Sequence, residues 1–531
     1  MDDCLPLEKT SFPRLIVDYL NQKESTHKFY NRLPSLENLS QQAAEKKQKF
    51  SKEQRAILVE RLKKQYQNTE ISSKTEENLK ALSQENTFTI TTGHQLNLFT
   101  GPLYFLYKII SVLNLCEQWN DSQDDSNAVP IFWMASEDHD FDEINFFRFK
   151  NQVIQWNRDA EGPVGRFSLE GLDEVSKEFK KNLDSSKQAE ELLKLFQKAY
   201  TKHDNLAQAT RFLANELFGK YGLIIIDGDD RELKKSFSTY AKDELLKQSC
   251  DQHLQNTNAE LKNAGYHIQV HQREINLFYL KDKLRQRIIA KGNAFAIDET
   301  DLEFSEKEII KELEDHPERF SPNAVMRPLY QEVVLPNLAY IGGAGELSYW
   351  FQLKDYFESQ DLPLPIIWLR NSVLLLSEKQ VKKIKNLGRQ IPDFFQSKSD
   401  LKSQHAREIS EIDIDFSTQK EHLKKQFLDL YKLAKQTDPS FEGAVAAQEQ
   451  KQMNGLEHLE KRLLKAEKRR LNDELNRLTE LKEKLFPQEN LQERFENFSS
   501  FYAEYGQDLI PKLKEELKPT QFGIQFIEFK Y

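Results

Sequence analysis

The sequence predicts an α/β protein built on a parallel sheet and extended by a long helical hairpin. Short β-branched runs alternate with helix-length apolar segments over residues 86–377, which is the pattern of βαβ units. Leucines at three- and four-residue spacing among many charges then fill residues 378–486, as is typical of coiled-coil helices. A chain of 531 residues is too long for one core, so about two to four domains are expected.

The composition argues against two classes of partner. Asp and Glu outnumber Lys and Arg by 85 to 75, and the formal net charge of −10 argues against nucleic acid. No apolar run reaches the roughly 18 residues needed to span a bilayer, and the first residues lack the basic-then-apolar pattern of a signal peptide. The three cysteines, Cys4, Cys116 and Cys250, form no CxxC pair and are expected to be reduced thiols of a cytoplasmic protein.

The clearest βαβ unit lies in residues 86–150. The run Phe88–Thr91 predicts a strand that stops at Gly93, and Gly101-Pro102 predicts the start of a helix, since proline is favoured in a first helical turn. A second buried strand is expected over residues 129–135. A right-handed crossover would place the ends of both strands at one edge of the sheet, where open α/β sheets bind ligands.

The polar cluster after the first predicted strand suits an anionic partner. It consists of Gly93, His94, Gln95, Gly101 and Pro102. Backbone N–H groups at a helix start, an imidazole and an amide suit a phosphate or a developing oxyanion. Lys108, about two helical turns further on, is a candidate for the same partner. The alternatives are an ordinary surface position for Lys108 and a helix cap or core position for His94.

The cluster after the second predicted strand suits an amine or a cation. It contains five carboxylates and one imidazole: Glu137, Asp138, His139, Asp140, Asp142 and Glu143. Acidic residues directly after a buried strand are costly unless they are paired, which favours a functional site over an acidic loop. His139 among carboxylates is also a candidate ligand of a divalent cation, but no second histidine lies at a ligand spacing, so no metal is predicted.

Three more apolar runs, near Leu223, Leu338 and Ile366, predict further parallel strands of the same sheet. Carboxylates in the segment Asp227–Asp230 follow the first of these strands. They could belong to the functional edge of the sheet or, equally, form an ordinary turn and helix cap. Gly342–Gly345 follow the second and predict a loop whose small residues let a backbone approach a ligand, with an ordinary tight turn as the alternative. Gly343, Gly345 and Glu346, at the start of the next helix, are therefore added to the candidate binding residues.

The charged segment after residue 378 predicts a long antiparallel helical hairpin. One helix is expected over residues 397–435, a break at 437–443, and a second helix that carries a heptad-like leucine pattern. An exposed apolar stripe on such a hairpin needs a partner, so we expect a homodimer.

Three stretches of the sequence carry a family resemblance. They are Gly93-His94-Gln95 through Gly101-Pro102-Leu103-Tyr104 to Lys108; Pro130-Ile131-Phe132-Trp133 through Glu137-Asp138-His139-Asp140-Phe141-Asp142-Glu143; and Arg327-Pro328 through Gln331, Leu335-Pro336 and Gly343-Ala344-Gly345-Glu346 to Tyr349-Trp350. Their order and spacing resemble the cysteine ligases of bacillithiol biosynthesis, the BshC family, and the resemblance covers essentially the whole chain. Two positions depart from the family pattern: many members carry Gln at the position of His94 and Pro at that of Ala344.

The resemblance implies an architecture. It implies a Rossmann-like core similar to class I aminoacyl-tRNA synthetases, with two connecting insertions and a coiled-coil domain that forms a homodimer. The expected segments are an N-terminal helical segment that packs on the core (1–85), the core (86–377) with insertions at about 160–220 and 235–320, a coiled-coil hairpin (378–490) and a C-terminal segment that returns to the core (491–531).

The resemblance also implies a reaction, in which the carboxyl group of cysteine is joined to the glucosamine amine of glucosaminyl malate in the last step of bacillithiol synthesis. The expected partners are therefore these small molecules, with ATP or another nucleotide as cosubstrate and neither nucleic acid nor membrane. The alternative is a non-catalytic nucleotide- or metabolite-binding scaffold whose coiled coil serves assembly.

The expected roles follow from the two polar clusters. Glu137, Asp138 and His139 are the expected catalytic residues, which hold the amine and remove its proton, because crowded carboxylates raise the pKa of one another toward the range of a useful base. The expected binding residues are Gly93, His94, Gln95, Gly101, Pro102, Lys108, Asp142, Glu143, Gly343, Gly345 and Glu346.

Overall fold

A five-stranded parallel sheet organises the larger part of the fold. The structure is a computed structural model that describes residues 4–159 and 161–529. The strands are β1 (Thr87–His94), β2 (Asn127–Met134), β3 (Ile224–Asp227), β4 (Asn337–Gly342) and β5 (Ile366–Leu369). Their order is β5-β4-β1-β2-β3, and every neighbouring pair is parallel. All five strands lie at the predicted runs, which confirms the α/β prediction.

The sheet is buried, as expected for parallel strands that are covered by helices. Every residue of β1 and of β4 is buried. Helix Tyr104–Asn120, which follows β1, contributes Val112 and Trp119 to a core cluster with Phe88 and Trp368 of the sheet. Burial of such large apolar side chains is the main favourable contribution to folding of this unit.

The register of the strands brings their carboxyl ends together. β1 and β2 pair without a shift from Thr87 opposite Asn127 to His94 opposite Met134. Met134 in turn lies opposite Asp227 of β3. Residues that follow these three strands therefore meet at one edge of the sheet.

The remaining elements of this unit surround the sheet. Before β1 lie strand Cys4–Leu5 and helices Arg14–Leu20, Leu36–Lys49, Lys52–Gln65 and Ser73–Ala81. Between β2 and β3 lie helix Phe141–Ile144, strands Phe146–Phe149 and Gln152–Gln155, and helices Leu172–Asn182, Lys187–Thr201 and Leu206–Phe218. Between β3 and β4 lie helices Arg231–Lys247, Ser249–Asn263, Glu306–Asp315 and Arg327–Val334, with strands Leu277–Lys281, Leu284–Lys291, Ala294–Ile297, Glu303–Ser305 and Phe320–Pro322 in one antiparallel sheet.

The last elements of the chain complete this unit. After β4 lie helices Ala344–Trp350 and Lys354–Ser359, and after β5 lies strand Ser372–Ser377. Helices Phe498–Tyr505 and Leu509–Glu516 precede strand Ile524–Phe529, which pairs antiparallel with Cys4–Leu5.

A second unit consists of helices. The chain divides into a unit of residues up to 373 with 493–527 and a unit of residues 374–492 with the last few residues. The helices of the second unit are Glu378–Asn386, Lys398–Ile409, Ser417–Ala434, Pro439–Arg470 and Asn472–Leu485. Among the described residues, no helix is both long and apolar enough to cross a membrane.

The helical unit departs from its predicted bounds. The single helix expected over residues 397–435 is two helices, because the segment 410–416 forms local turns instead. The side chain of Asp413 accepts a hydrogen bond from the N–H of Asp415, and that of Asp415 from the N–H of Ser417. Such side-chain-to-backbone hydrogen bonds compete with the helical pattern.

A buried ion pair connects the N-terminal helices to the sheet. Lys46 of helix Leu36–Lys49 and Glu332 of helix Arg327–Val334 are 1% and 0% exposed, and Lys46 Nζ lies 3.1 Å from Glu332 Oε2. The Asn337 amide of β4 donates to the other carboxylate oxygen at 2.7 Å. Removal of one member would leave an unpaired charge in the core.

Lys46→Met is expected to destabilise this unit by about 3–5 kcal/mol, because Glu332 would remain buried without its cation. Urea denaturation followed by circular dichroism measures the effect. The control is Lys47→Met, which removes an exposed lysine from the same helix. Equal urea midpoints for the two variants would contradict the structural role of the pair.

Candidate functional site

A cavity of about 420 Å³ opens at the carboxyl edge of the parallel sheet. Its lining residues all belong to the sheet-bearing unit: Gly93, His94, Gln95, Tyr104, Lys108, Trp133, Met134, Ala135, Ser136, Glu137, Asp138, Arg285, Pro322, Asn323, Ala324, Arg327, Tyr340, Glu346 and Tyr349. The ends of β1, β2 and β4 meet here, and the segment between β3 and β4 supplies the two arginines. Because open α/β sheets bind ligands at this edge, the cavity is the candidate site.

Lys108 ties three elements of the cavity wall together. Its ammonium donates to the Gly93 carbonyl oxygen at 2.7 Å and to Glu346 Oε2 at 2.6 Å. Burial lowers the pKa of Lys108, and burial also opposes ionisation of Glu346, but the Lys108 charge outweighs it and holds the pKa of Glu346 below its usual value. The charge of Lys108 is thus neutralised inside the wall, which corrects its predicted role as a free charge for an anionic ligand.

Close backbone approach explains two glycines of the wall. A Cβ atom at Gly93 would lie 2.9 Å from the Tyr340 hydroxyl, and one at Gly342 would lie 2.8 Å from Leu347 Cδ2. Glycine is therefore required at both positions for packing.

The predicted glycine-rich loop is instead a direct strand-to-helix junction. Gly342 ends β4, Gly343 is the N-cap, and Ala344 begins a helix of seven residues. Glu346 accepts a hydrogen bond from the Gly343 N–H at 3.4 Å, so the acidic side chain caps its own helix. Gly343 and Gly345 are not among the residues that line the cavity, and their binding role stays a prediction.

His94 is buried in the wall as a neutral imidazole. The residue is 8% exposed, and its ring packs against Tyr104 and Phe105 with centroids 5.4 and 5.2 Å apart. Burial, assisted by the Lys108 charge, lowers the pKa of His94 well below its usual value of 6.5.

The partners of the His94 ring also assign its tautomer. The carbonyl of Thr100 accepts a hydrogen bond from the ring, and Nε2 has no partner among the described residues. Nδ1 therefore carries the proton and Nε2 is an acceptor. An acceptor suits a hydroxyl or amine of a ligand better than an anion, and the binding role of His94 stays a prediction.

Gly101 and Pro102 lie outside the cavity. The N–H of Leu103, at the start of the following helix, donates to the carbonyl of Glu496 at 2.7 Å, and the Asn497 amide donates to the carbonyl of Gly101. The C-terminal segment thus occupies the helix start that was predicted to bind an anion. The predicted binding role of Gly101 and Pro102 is corrected for this reason.

Asp138 is held as an ionised carboxylate. Gln95 Nε2 donates to Asp138 Oδ2 at 2.9 Å and to Glu143 Oε2 at 2.8 Å, and the His139 N–H donates to Asp138 Oδ1 at 2.8 Å. Burial alone would raise the pKa of Asp138, but hydrogen bonds from His139 and Gln95, together with the charge of Arg285, outweigh burial and hold the pKa below its usual value. A carboxylate this acidic is a poor base, which corrects the expectation that crowding raises its pKa.

Glu137 has the opposite electrostatic environment. Burial raises the pKa of Glu137, although the neighbouring Lys234 opposes the shift. Lys234, which is 1% exposed, forms ion pairs with Glu137 and, at 3.3 Å, with Asp229. Asp229 accepts two further hydrogen bonds from Arg166, at 2.7 and 2.9 Å. The raised pKa makes Glu137 a better base than Asp138.

The other predicted carboxylates lie away from the cavity lining. The His139 side chain is 49% exposed, and its Nδ1 lies 2.6 Å from Arg285 Nη1. Asp142 is exposed, and exposed Glu143 reaches the cavity only through its hydrogen bond with Gln95. In the described parts of the chain, His, Cys, Asp and Glu side chains form no group of three placed to hold a metal ion. Asp230 is a helix cap, since it accepts hydrogen bonds from the N–H groups of Glu232 and Leu233.

The structure adds residues to the site that the sequence patterns did not indicate. Arg285, Arg327, Tyr340 and Tyr349 line the cavity but were absent from the expected binding residues. Arg327 and Tyr349 belong to one of the stretches that carry the family resemblance, so a signal for them existed. Arg285 lies in a short strand of the antiparallel sheet, and no local pattern marks it.

The fold and the site together define an α/β protein of Rossmann-like type with a charged ligand cavity at the sheet edge. Residues 2–371 match the profile described as "Bacillithiol biosynthesis BshC, N-terminal Rossmann-like domain". Residues 373–529 match "Bacillithiol biosynthesis BshC, C-terminal coiled-coil domain". The chain therefore belongs to the BshC family of bacillithiol biosynthesis, and the predicted family resemblance is confirmed.

Curated relatives agree with this assignment over nearly their full length. A protein of Flavobacterium johnsoniae is 52% identical over 526 residues, with 99% of each chain covered. A protein of Christiangramia forsetii is 49% identical over 532 residues, again with 99% of each chain covered. A protein of Bacillus anthracis is 28% identical over 531 residues, with 96% of this chain and 98% of the relative covered. All three carry the provisional name cysteine ligase BshC.

The buried neutral state of His94 predicts a pH dependence of stability. The folded-state pKa lies below 6.5, so the unfolded chain binds more protons between these two values. The contribution of His94 is fully present above pH 6.5 and is lost as the pH falls toward the folded-state pKa. Between pH 7.5 and 5.5, the wild type should lose about 1 kcal/mol more free energy of unfolding than His94→Gln.

Urea titrations of both proteins at the two pH values test this prediction. His405 in the helical unit also has a pKa lowered by burial, but it contributes equally to both proteins and cancels in the difference. Parallel loss of stability in wild type and His94→Gln would show that His94 titrates normally in the folded chain.

Proposed function

We propose that this chain is the ligase that joins the carboxyl group of cysteine to the glucosamine amine of glucosaminyl malate, the last step of bacillithiol synthesis, in the cytoplasm. The observation that carries the proposal is the pairing of opposite charges in one cavity. Asp138 and Glu137 follow β2, and Arg285 and Arg327 line the same space, each with one donor nitrogen that has no hydrogen-bond partner among the described residues. Formation of an amide needs both a site for an amine and donors for a carboxylate-derived group.

Asp138 is suited to hold the amine. Its pKa is low, so it remains charged and attracts the ammonium form of the amino sugar. Gln95 fixes its orientation through the 2.9 Å hydrogen bond. The neutral His94 Nε2 offers a nearby acceptor for a sugar hydroxyl or the amine. These groups would position the nucleophile without competing for its proton.

Glu137 is suited to accept the proton. The bound ammonium must lose one proton before its nitrogen can attack the acyl carbon and a second proton as the amide forms, while the leaving group departs from that carbon with its electron pair. Glu137 can accept these protons in turn and pass each to solvent, and its raised pKa makes it a better acceptor than an ordinary carboxylate. Lys234 keeps the carboxylate in place. Its positive charge favours the ionised form of Glu137, which is restored when the proton is lost to solvent.

Arg285 is suited to the acyl side of the reaction. Its guanidinium stacks over the Phe278 ring at 3.8 Å, and its Nε has no hydrogen-bond partner among the described residues. This orphaned donor fits an anionic group of the acyl donor or the oxyanion that develops during attack. ATP, or another nucleotide, would supply the energy that turns a carboxylate into an acyl donor. The chain's own part is to hold and polarise that donor beside the amine.

The helical unit is proposed to form a homodimer. Several large apolar side chains of this unit are more than 40% exposed: Ile412, Leu428, Leu430, Leu433, Phe441 and Leu459. Apolar surface of this kind on a long helical hairpin is typical of an interface between subunits. In the dimer, these apolar side chains would be buried between the two subunits instead of exposed to solvent.

Reconstitution with cysteine, glucosaminyl malate and ATP is expected to give the amide product, detected by mass spectrometry. Glu137→Gln should lower turnover by about 10²- to 10⁴-fold, because the base is lost. Asp138→Asn should mainly raise KM for glucosaminyl malate, because the amine loses its counter-charge. Glu170→Gln, which changes an exposed carboxylate of the same unit, is the control.

Circular dichroism at matched folded fraction separates catalysis from folding, and Glu137→Asp provides a second variant that retains the carboxylate. Wild-type turnover of Glu137→Gln would refute the role of Glu137, and a wild-type KM for glucosaminyl malate in Asp138→Asn would refute that of Asp138. Binding of metabolites with no product under any condition would favour a non-catalytic scaffold instead.

The double variant Leu433→Glu with Leu459→Glu is expected to convert the dimer to monomers, because charges would be buried in the apolar interface. Multi-angle light scattering of the full chain measures the mass. The matched control carries glutamates at exposed polar positions of the same helices, Lys425→Glu with Asn454→Glu. A dimer mass for the leucine variant would place the interface elsewhere.

A further inference from the structure

Arg327 lies in the cavity wall beside a stacked pair of aromatic rings. The ring centres of Tyr340 and Trp350 are 4.1 Å apart, and the guanidinium lies 5.3 Å from the first and 5.7 Å from the second. Nη1 also donates a hydrogen bond to Gln331 Oε1 at 3.0 Å. An arginine held by such contacts loses little conformational freedom when it binds a ligand.

The charge of Arg327 has no carboxylate partner. Nη2 is buried and makes no hydrogen bond within the described chain, and no described carboxylate forms an ion pair with this residue. Glu346, which also lines the cavity, is already held by Lys108 and the Tyr340 hydroxyl.

Other buried cations of the same unit have acceptors for their charged groups. Arg370 and Lys234 bond to acids, and the guanidinium groups of Arg55 and Arg211 donate to backbone carbonyls. A buried guanidinium nitrogen without any acceptor is costly, so Nη2 of Arg327 is a donor that an anionic group of a ligand would satisfy.

The topology places Arg327 and the amine-binding carboxylate near different strands of one cavity. Arg327 lines the cavity with Tyr340 and Glu346 near the end of β4, whereas Asp138 follows β2. β1 lies between these two strands, and neighbouring strands are about 4.8 Å apart, so β4 and β2 themselves are about 10 Å apart. An acceptor with an amine at one end and carboxylates a few bonds away would span that cavity.

We propose that Arg327 binds a malate carboxylate of glucosaminyl malate while Asp138 holds the amine of the same molecule. This assignment rests on the proposed function and names the feature by which the acceptor is selected. In glucosaminyl malate the malate is attached at the carbon next to the one that carries the amine, so both groups project from one side of the sugar. The planar fork of arginine matches a carboxylate through two parallel hydrogen bonds. Amino sugars without carboxylates would therefore be poor acceptors.

Isothermal titration calorimetry of the full-length protein tests the assignment with four ligands: glucosaminyl malate, methyl glucosaminide, cysteine and ATP. Methyl glucosaminide keeps the sugar and amine but has no carboxylate. Arg327→Gln is expected to raise the Kd of glucosaminyl malate by about 10- to 100-fold and to leave the Kd values of the other three ligands unchanged. Arg327→Lys, which keeps the charge but not the fork, should give a smaller loss.

The matched control is Arg148→Gln. Arg148 also stacks on aromatic rings, 5.0 Å from Phe146 and 4.5 Å from Phe495, but it lies outside the cavity. Its replacement should leave all four Kd values unchanged, which excludes a general effect of losing a stacked arginine.

Three results would overturn the assignment. An unchanged Kd of glucosaminyl malate in Arg327→Gln would show that Arg327 makes no contact with it. Equal weakening of methyl glucosaminide would point to the sugar or to the fold, and weakening of ATP would point to a phosphate. If the wild type failed to bind glucosaminyl malate at all, the proposed function itself would fall, which is distinct from failure at Arg327 alone.

Discussion

The buried ammonium of Lys108 is the interaction on which the geometry of the cavity depends. It bonds at once to the carbonyl oxygen of Gly93 and to the carboxylate of Glu346, so one charge joins the end of β1, the following helix and the helix after β4. A buried charge is tolerated only when it is paired and hydrogen-bonded, and this pair meets both conditions. The carboxyl ends of β1 and β4 are therefore held at a fixed separation, which suits a site that must position two substrates.

The acidic residues after β2 illustrate how environment separates chemically similar groups. Asp138 receives hydrogen bonds and lies near Arg285, so its pKa falls, whereas burial raises the pKa of Glu137. Two carboxylates next to each other in sequence are thus suited to different tasks, one to hold a cation and one to accept a proton. Lys234 and Arg166 make this division possible, because they neutralise the buried acids behind the cavity.

The sequence was informative where structure follows from local pattern. The five strands, the polar edge and seven of the expected site residues followed from alternation of apolar runs with turns: Gly93, His94, Gln95, Lys108, Glu137, Asp138 and Glu346 line the cavity. What could not be predicted depends on partners distant in the chain. Nothing near Gly101 indicates that Asn497 bonds to its carbonyl, 396 residues away, and nothing near Arg285 indicates that it reaches His139. Protonation states were equally inaccessible, since the pKa of Asp138 is set by neighbours that only the fold assembles.

The sheet-bearing unit is formed by two separate segments of the chain, which has a consequence for its folding during translation. Residues 493–527 belong to the same unit as residues up to 373, and the helical unit lies between them in the chain. Chains emerge from the ribosome N-terminus first, at about 5–20 residues per second. Asn497, which bonds to the carbonyls of Phe99 and Gly101, is synthesised only after the helical hairpin. The same holds for Glu493, which bonds to the guanidinium of Arg370. The nascent sheet-bearing unit therefore spends several seconds without these hydrogen-bond partners, although all five strands of its parallel sheet have been synthesised.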